Sequence, residues 1–324
     1  MTLNVLKHEP PSLADIRAAS DRIAGSAIRT PLVKLNLEDA PAEIWLKLEN
    51  LQPIGSFKIR GATNAVALAD PDTLRDGIWT ASAGNMGQGV AWAAQKLGIR
   101  CTVVVPDTAP QAKLSAIERM GATIVPVPFM TWQEVFATRR YEGVEGLMIH
   151  PFSDPHVMAG NATIGLEIVE DLPDVDAVLV PYGGGGLSCA IASAVKQLKA
   201  DAKVFAVEVE SGAPLAPSLA AGYPVEIDYR PSFVDGIGGS KVFPEMFELV
   251  TRLLDGSLVT SVAEIAEAVK LLAVRNHVIA EGAGASGVAA ALAGKAGTGK
   301  VACVISGGNI DAAKLAKILE GQVP

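Results

Sequence analysis

One lysine, Lys58, lies in a sequence context that suits a nucleophilic amine. Residues 56–61 read SFKIRG and follow a turn signal, Pro-Ile-Gly, at residues 53–55. Ser56 is a good helix N-cap, and the Ala-rich segment 57–69 predicts a helix whose first turn contains Lys58. The partial positive charge at a helix N-terminus favours loss of the ammonium proton. Because a lysine attacks a carbonyl only when neutral, the pattern predicts a Schiff-base lysine, against the alternative of a solvated surface lysine.

Three further loops have one form in common, in which a strand ends, a Gly-rich turn follows and a helix begins. They are SAGNM at 82–86, GGGGL at 183–187 and SGGN at 306–309. In open α/β sheets such loops lie at the carboxyl ends of strands, where ligands bind, and their N–H groups favour anions. The tetraglycine loop is the best phosphate cradle and, without a lysine, is not a Walker motif. The SAGN loop could hold a carboxylate, or it could be a plain turn.

Composition and charge narrow the class of protein. The 324 residues are 49% hydrophobic and 19% charged, which is enough for a large core in one domain or two closely packed ones. A net charge of −8 argues against nucleic acid or an anionic membrane as the main partner. The three cysteines are too few and too far apart for a zinc site or a disulfide framework. With no apolar signal region or membrane span in the sequence, we expect a soluble, cytoplasmic protein with a small-molecule substrate.

Strand-like and helix-like segments alternate along the whole chain. Buried strands are indicated at residues 101–106, 176–181, 203–209 and 301–305, with helical patterns between them. This alternation predicts an α/β fold with open, twisted, mostly parallel sheets flanked by helices.

The four motifs together resemble those of the fold type II pyridoxal-phosphate enzymes, and more narrowly the serine/threonine dehydratase and serine racemase group. They occur in family order, and the resemblance extends from residue 30 to residue 309. It implies pyridoxal 5'-phosphate as cofactor, a homodimer, and a two-domain fold like that of the tryptophan synthase β subunit. Residues 1–79 and 155–324 would form the large cofactor-binding domain. Residues 80–154 would form a small domain that carries the substrate-carboxylate loop.

The resemblance also implies a role for each site residue. Lys58 would form the Schiff base with the cofactor and move the Cα proton, and Phe57 would pack beside the cofactor ring. Asn85 would hydrogen-bond the ring hydroxyl, and Ser306 would contact the pyridine nitrogen. The phosphate would be held by backbone N–H groups of Gly183, Gly184, Gly185, Gly186 and Leu187. The substrate carboxylate would be received by Ser82, Ala83, Gly84 and Asn85.

These roles indicate a reaction type. A hydroxyl at Ser306 cannot stabilise a pyridinium as a carboxylate would, and the weaker electron sink suits β-elimination. We therefore predict dehydration and deamination of a β-hydroxy amino acid, such as L-threonine or L-serine, to a 2-oxo acid and ammonia. Serine racemase is an alternative, but racemases of the group usually have a serine at the position of Ala83. Met86, where the group more often has histidine, and Phe152 could admit phenylserine or simply fill the core. A hydroxyaspartate dehydratase also stays open.

Two hypotheses from other classes compete with this one. Gly183-x-Gly185 after a strand, with Glu208 at the end of the next, is typical of half a dinucleotide site and would suit an NAD-dependent dehydrogenase. That hypothesis leaves Lys58 unexplained. A non-catalytic amino-acid-binding protein would need the SAGN loop but not the lysine. Glu208 also matches a divalent-cation ligand of some relatives, but the second carboxylate is missing, so no metal site is predicted.

Overall fold

The structure is a computed structural model that describes residues 9–109 and 111–324. Its helices are α1 (Leu13–Ile23), α2 (Lys58–Ala67), α3 (Pro71–Leu74), α4 (Asn85–Leu97), α5 (Gln111–Glu118), α6 (Phe129–Thr138), α7 (Pro155–Asp171), α8 (Gly186–Leu198), α9 (Leu215–Ala221), α10 (Pro244–Leu253), α11 (Val262–Leu271), α12 (Gly282–Leu292) and α13 (Ala312–Leu319). Its strands are β1 (Leu32–Lys34), β2 (Glu43–Lys47), β3 (Ile78–Ala81), β4 (Cys101–Pro106), β5 (Thr123–Val127), β6 (Leu147–Met148), β7 (Ala177–Pro181), β8 (Lys203–Val209), β9 (Gly256–Thr260) and β10 (Lys300–Val304). None of these helices is long and apolar enough to cross a bilayer.

The strands form two sheets. The larger has six strands in the order β1-β2-β10-β7-β8-β9, and the smaller has four in the order β5-β4-β3-β6. Strand β1 runs antiparallel to β2, whereas the other pairings are parallel. Strand β7 is buried along its whole length, as expected for a parallel strand with helices on both faces. The predicted α/β class with mostly parallel sheets is confirmed.

The two sheets draw on different parts of the chain. The larger sheet combines β1 and β2 with the later strands β7 to β10, whereas the smaller sheet is built from the consecutive strands β3 to β6. The predicted domain limit between residues 79 and 80 falls inside β3, which pairs with β4 and β6 of the smaller sheet. The limits of the two domains stay a prediction.

A serine caps the start of α1 but not the start of α2. At α1 Ser12 caps the helix, because its hydroxyl accepts from the Asp15 N–H and the Asp15 carboxylate accepts from the Ser12 N–H, each at 3.1 Å. At α2 the prediction of a Ser56 N-cap is wrong. Phe57 occupies the cap position, and Ser56 is fully buried in a short antiparallel bridge with Gly307. That backbone pairing joins the start of α2 to the loop after β10 and outweighs the local capping preference of serine.

A buried cluster of charges fixes α2. The Arg60 guanidinium donates two hydrogen bonds of 2.8 Å to Glu49, just after β2, and bonds of 2.6 and 2.9 Å to Glu167 of α7. Lys47 at the end of β2 lies 2.6 Å from the same Glu167 carboxylate. These four side chains are almost completely shielded from solvent, and their charges cancel. The cluster therefore holds α2 against both β2 and α7. Its central residue, Arg60, lies only two residues after Lys58 on the same helix.

We predict that Arg60→Met destabilises the protein by about 3–5 kcal/mol, because it leaves two buried carboxylates with only Lys47 as a cation. The matched control is Arg29→Met, since Arg29 pairs with Glu170 and Asp171 while half of its side chain is exposed. We expect the control to cost about 0–1 kcal/mol. Urea unfolding of the three proteins measures both changes, and equal losses would show that the cluster does not hold α2.

Candidate active site

All the predicted site residues meet in one cavity of about 440 Å³. Its lining includes Phe57, Lys58, Ser82, Ala83, Gly84, Asn85, Gly183, Gly184, Gly185, Gly186, Leu187 and Ser306. Loops from both sheets contribute, since β3 ends just before Ser82 while β7 and β10 end just before Gly183 and Ser306. The cavity thus lies at the carboxyl ends of parallel strands, where ligand sites of this architecture are found.

Lys58 lies in the first turn of α2, as predicted, and is the first residue of that helix; it lines the cavity. The Nζ donates to the Pro151 carbonyl at 2.8 Å and lies 5.0 Å from the centre of the Phe57 ring. Burial disfavours the ammonium form and lowers the pKa of Lys58 to about 8, although the nearby Glu281 carboxylate opposes that change. An amine with this pKa is neutral in a useful fraction of molecules near neutral pH, which a carbonyl nucleophile requires.

The tetraglycine loop leads into α8 with its N–H groups free for an anion. None of the backbone N–H groups of residues 183–187 donates to another residue that the structure describes. They lie at the N-terminus of a 13-residue helix, whose dipole adds to their attraction for negative charge. Gly184 has no room for a side chain, because a Cβ there would lie 2.5 Å from Cγ of the Phe152 ring. The Phe152 ring can pack directly on the backbone of the loop only because residue 184 is glycine.

The SAGN loop presents a second helix N-terminus to the cavity. Helix α4 begins at Asn85, and the Ser82 hydroxyl accepts from the Gly84 N–H at 3.2 Å within the loop. Two glycines bring α4 close to its neighbours. A Cβ at Gly87 would lie 2.3 Å from the Ser82 carbonyl oxygen, and one at Gly89 would lie 3.1 Å from that of Lys58. The close packing brings the lysine and the anion-attracting end of α4 to the same cavity.

Both the nitrogen and the oxygen of the Asn85 side-chain amide are hydrogen-bonded. Its Nδ2 donates to the two Glu281 carboxylate oxygens at 2.9 and 3.2 Å, and its Oδ1 accepts from Asn309 Nδ2 at 2.7 Å. Asn309 is itself fixed by donation to the Ile54 carbonyl at 2.9 Å. Because an amide nitrogen carries two hydrogens, Asn85 can keep its Glu281 partner and still donate to a ligand atom. Its predicted bond to a ring hydroxyl stays a prediction.

Glu281 is the functional candidate that sequence reasoning missed. It lines the cavity beside Lys58 and is largely buried. Burial raises the pKa of Glu281 to about 7, and the Asn85 hydrogen bond opposes that rise. The sequence does contain a sign of it, because Glu281 is the one charged residue in the segment 278–293, which consists mainly of small and apolar residues. A buried charge is costly without a partner, so an isolated carboxylate in such a segment indicates a functional candidate.

The remaining predicted positions have clear surroundings. Ser306 is buried and lines the cavity, and its carbonyl accepts from the Phe57 N–H at 3.0 Å. Met86 and Phe152 are both buried and line the cavity. Phe152 also packs on the tetraglycine loop, and its role in admitting a bulky substituent such as the ring of phenylserine stays a prediction.

Glu208, the candidate ribose or cation contact, is engaged elsewhere. Its carboxylate accepts from the Leu215 and Ala216 N–H groups at 2.8 and 2.9 Å and from the Ser257 hydroxyl at 2.6 Å. These bonds cap α9 and occupy both carboxylate oxygens. Across residues 9–109 and 111–324 no group of three or more His, Cys, Asp or Glu side chains could hold a metal ion.

Comparison with known proteins identifies the family. Residues 23–307 match the family model described as "Pyridoxal-phosphate dependent enzyme". The chain belongs to this family, and its cofactor is pyridoxal 5'-phosphate.

Individual relatives agree with this assignment. The chain is 42% identical to the L-threonine ammonia-lyase of Thermotoga maritima over 313 residues, which is 95% of this chain and 78% of that one. Its fold is similar to the crystal structure of T.th. threonine deaminase, with a TM-score of 0.85, 35% identity and coverage of 93% and 99% of the two chains. It is also similar to maize serine racemase, with a TM-score of 0.86, 30% identity and coverage of 97% and 98%.

The cavity fits this cofactor. The unpaired N–H groups of residues 183–187 match a phosphate dianion, and the Phe57 ring provides an apolar face next to the Lys58 amine. The buried Ser306 side chain and the Asn85 amide offer polar groups for the edge of a pyridine ring. The residues present therefore suit the phosphate, the ring and the aldehyde of pyridoxal phosphate.

We predict that Gly184→Ala weakens cofactor binding at least about tenfold, because the added Cβ must displace either the Phe152 ring or the loop that presents the N–H groups. The control is Gly239→Ala, where an added Cβ would meet no atom within 4 Å. Equilibrium titration of cofactor-free protein, followed by visible absorbance, measures both affinities. Retention of wild-type affinity by Gly184→Ala would contradict the role of the loop.

The raised pKa of Glu281 predicts a pH-dependent stability. Between the ordinary pKa of 4.5 and about 7 the folded chain keeps a proton that the unfolded chain loses. The stabilisation is therefore complete below pH 4.5 and is lost as the pH rises to about 7. Relative to Glu281→Gln, the wild type should lose about 3 kcal/mol over this range, at about 1.4 kcal/mol per pH unit.

Urea unfolding of the cofactor-free proteins across this pH range measures the difference, in which contributions from other groups cancel. The control Glu142→Gln alters an exposed carboxyl, and its stability should change in parallel with that of the wild type. A constant difference between wild type and Glu281→Gln would refute the assignment.

Proposed function

We propose that the protein is a hydroxy-amino-acid ammonia-lyase that converts a β-hydroxy amino acid, such as L-threonine or L-serine, to a 2-oxo acid and ammonia. One observation carries this proposal. The Lys58 amine, with its pKa lowered to about 8, shares a cavity with two helix N-termini that attract anions. One suits the cofactor phosphate and the other suits the substrate carboxylate, so an amino acid would be held with its Cα next to the lysine.

The residues of the chain divide the work. The loop 183–187 binds the phosphate, and the loop 82–85 binds the substrate carboxylate and orients the amino acid. When bound, pyridoxal phosphate supplies the electron sink that acidifies the Cα–H bond. Lys58 takes the Cα proton as the neutral amine, and the Cβ–O bond breaks with loss of the hydroxyl as water. Hydrolysis then returns one water and releases ammonia and the 2-oxo acid, so the net reaction balances.

Glu281 and Asn85 would set the charge around this chemistry. The Glu281 carboxylate favours the protonated form of Lys58, while burial opposes it. A glutamate with a pKa of about 7 can itself change charge as the lysine gains or loses its proton. The Asn85 amide, itself held by Asn309, fixes the position of the Glu281 carboxylate in the cavity lining.

Ala83 favours elimination over racemisation. Inverting Cα requires a proton donor on each of its faces, and Lys58 serves one. The residue at 83 lines the cavity within the carboxylate loop but carries only a methyl group. Two of the relatives, an ammonia-lyase and a deaminase, support the same choice, whereas the similar maize protein is a serine racemase.

The proposal is tested on purified holoenzyme by 2-oxo acid release from L-threonine and L-serine. We expect a yellow protein that borohydride bleaches, with the cofactor then attached to Lys58. Lys58→Ala should lower the rate at least about 1,000-fold through loss of the base. The control Lys96→Ala changes a lysine of α4 that rests on the Trp92 ring, away from the cavity, and should retain the rate.

Three results would each contradict part of the proposal. Rapid interconversion of D- and L-serine without 2-oxo acid would favour a racemase. A colourless protein that binds NAD would favour a dehydrogenase, and full activity of Lys58→Ala would remove the lysine from its role.

We also propose that the protein is a cytoplasmic homodimer, with domains at residues 1–79 plus 155–324 and at 80–154. The three cysteines, Cys101, Cys189 and Cys303, are buried free thiols, which suits a reducing compartment. Sedimentation of the holoenzyme tests the dimer.

A further inference from the structure

One side of the cavity is an aromatic wall formed by Trp132, Phe136 and Phe152. The Trp132 and Phe136 rings meet edge to face with centroids 4.7 Å apart, and the centroids of Phe136 and Phe152 are 6.0 Å apart. Only 5% of the residues in this chain are aromatic, so three adjacent rings on one wall give this side of the cavity a distinct apolar character.

The wall is braced from behind and does not close the cavity. The centroid of the Phe152 ring lies 4.4 Å from that of Phe243 and 4.5 Å from that of His150, which it meets edge to face. The Phe152 ring also packs on Gly184. Trp132 stacks on Phe129 at 5.9 Å. Because neighbouring side chains hold these rings in place, the wall presents a fixed surface to the cavity, where a ligand can contact it.

The wall is next to the reacting atoms. The Lys58 Nζ donates to the carbonyl of Pro151, and Phe152 is the following residue. The amino, carboxylate and Cα–H groups of a bound amino acid have their partners in the cofactor, the loop 82–85 and Lys58. The substituent on Cβ is the part without a partner, and the wall, together with the buried Met86, offers it an apolar aromatic surface.

Charges in the cavity disfavour a second carboxylate on that substituent. Its lining carries the acidic side chains Glu281 and Asp235. Of its two lysines, Lys58 serves the cofactor and Lys113 is paired with Asp235 at 2.7 Å. No uncommitted cation therefore lines the cavity among the described residues, so the second carboxylate of hydroxyaspartate would have no free positive charge to pair with.

We propose that the aromatic wall binds the β-substituent of the substrate and that the preferred substrates are β-hydroxy amino acids with an aryl group, of which phenylserine is the simplest. This inference rests on the proposed ammonia-lyase function. An aryl ring can pack edge to face on Trp132 and Phe136, whereas the methyl group of threonine leaves most of the wall uncovered. The reaction takes the Cα proton to Lys58, breaks the Cβ–O bond to release water, and after hydrolysis gives phenylpyruvate and ammonia.

The first test compares kcat/KM of the holoenzyme for L-threo-phenylserine, L-threonine, L-serine and L-threo-3-hydroxyaspartate. We expect phenylserine to exceed threonine at least about tenfold, the size of effect that a hydrophobic pocket gives. Release of 2-oxo acid from threonine or serine but not from phenylserine would overturn this inference and leave the ammonia-lyase function standing. Release from none of the four would overturn the function itself.

The second test assigns the preference to the wall. Trp132→Leu should lower the ratio of kcat/KM for phenylserine to that for threonine about tenfold, because the ring contact is lost. Trp92→Leu is the matched control, since Trp92 lies on α4 under Lys96 and does not line the cavity, and it should keep the wild-type ratio. An unchanged ratio in Trp132→Leu would contradict the proposal, and Phe136→Leu provides a second variant if the first does not fold.

A binding measurement on the wild-type holoenzyme needs no variant and no turnover. L-Phenylalanine has the aryl group but no β-hydroxyl to eliminate, and its binding is followed by the change in visible absorbance. We expect a Kd at least about tenfold below that of L-alanine if the wall holds the ring. Equal affinities would show that the wall does not recognise the substituent.

Discussion

The buried cluster around Arg60 is the interaction on which the rest of the site depends. Two cations and two carboxylates are shielded from water there, and each is paired and hydrogen-bonded. Removing one member would leave an uncompensated charge in a low-dielectric interior, so the helix that carries Arg60 has one stable position. Lys58 lies two residues earlier on that helix. The cluster thus positions the reactive amine without touching it.

Backbone contacts through glycine tighten the same helix on both sides. A Cβ at Gly61 would lie 2.7 Å from a methyl group of Val157 on α7, and one at Gly160 would lie 2.5 Å from the Arg60 carbonyl oxygen. On the other side Gly89 lets α4 approach the Lys58 carbonyl. Helix α2 is therefore packed between α7 and α4, and the N-terminal residues of α4 and α8 line the same cavity as its first residue. The aromatic wall of Trp132, Phe136 and Phe152 lines a further side of the same cavity.

Much of this arrangement could be predicted from local pattern. The buried strand at 101–106 coincides with β4, and those at 176–181, 203–209 and 301–305 lie within a residue of β7, β8 and β10, because parallel strands covered on both faces read as continuous apolar runs. The Gly-rich loops between strand and helix were equally visible. The position of Ser56 was not, since a bridge to Gly307, 251 positions later, replaced its local capping role. Strand β9 and the short helix α9 follow from pairing with β8 and packing on its neighbours, whereas α10 buries Met246, Leu249 and Val250 at helical spacing.

By itself, the sequence determined the fold class, the cofactor family, and the lysine and Gly-rich loops of the cavity, because these depend on short patterns whose chemistry is local. Only the tertiary structure decided their electrostatics. The lowered pKa of Lys58 and the raised pKa of Glu281 arise from burial, which depends on segments distant in the chain. Tertiary packing likewise decided that Trp132 and Phe136 face the same cavity as Phe152. Trp132 and Phe136 lie on α6, whereas Phe152 lies between β6 and α7. Their side chains meet only in the folded chain, so no local sequence pattern predicts that they share a cavity.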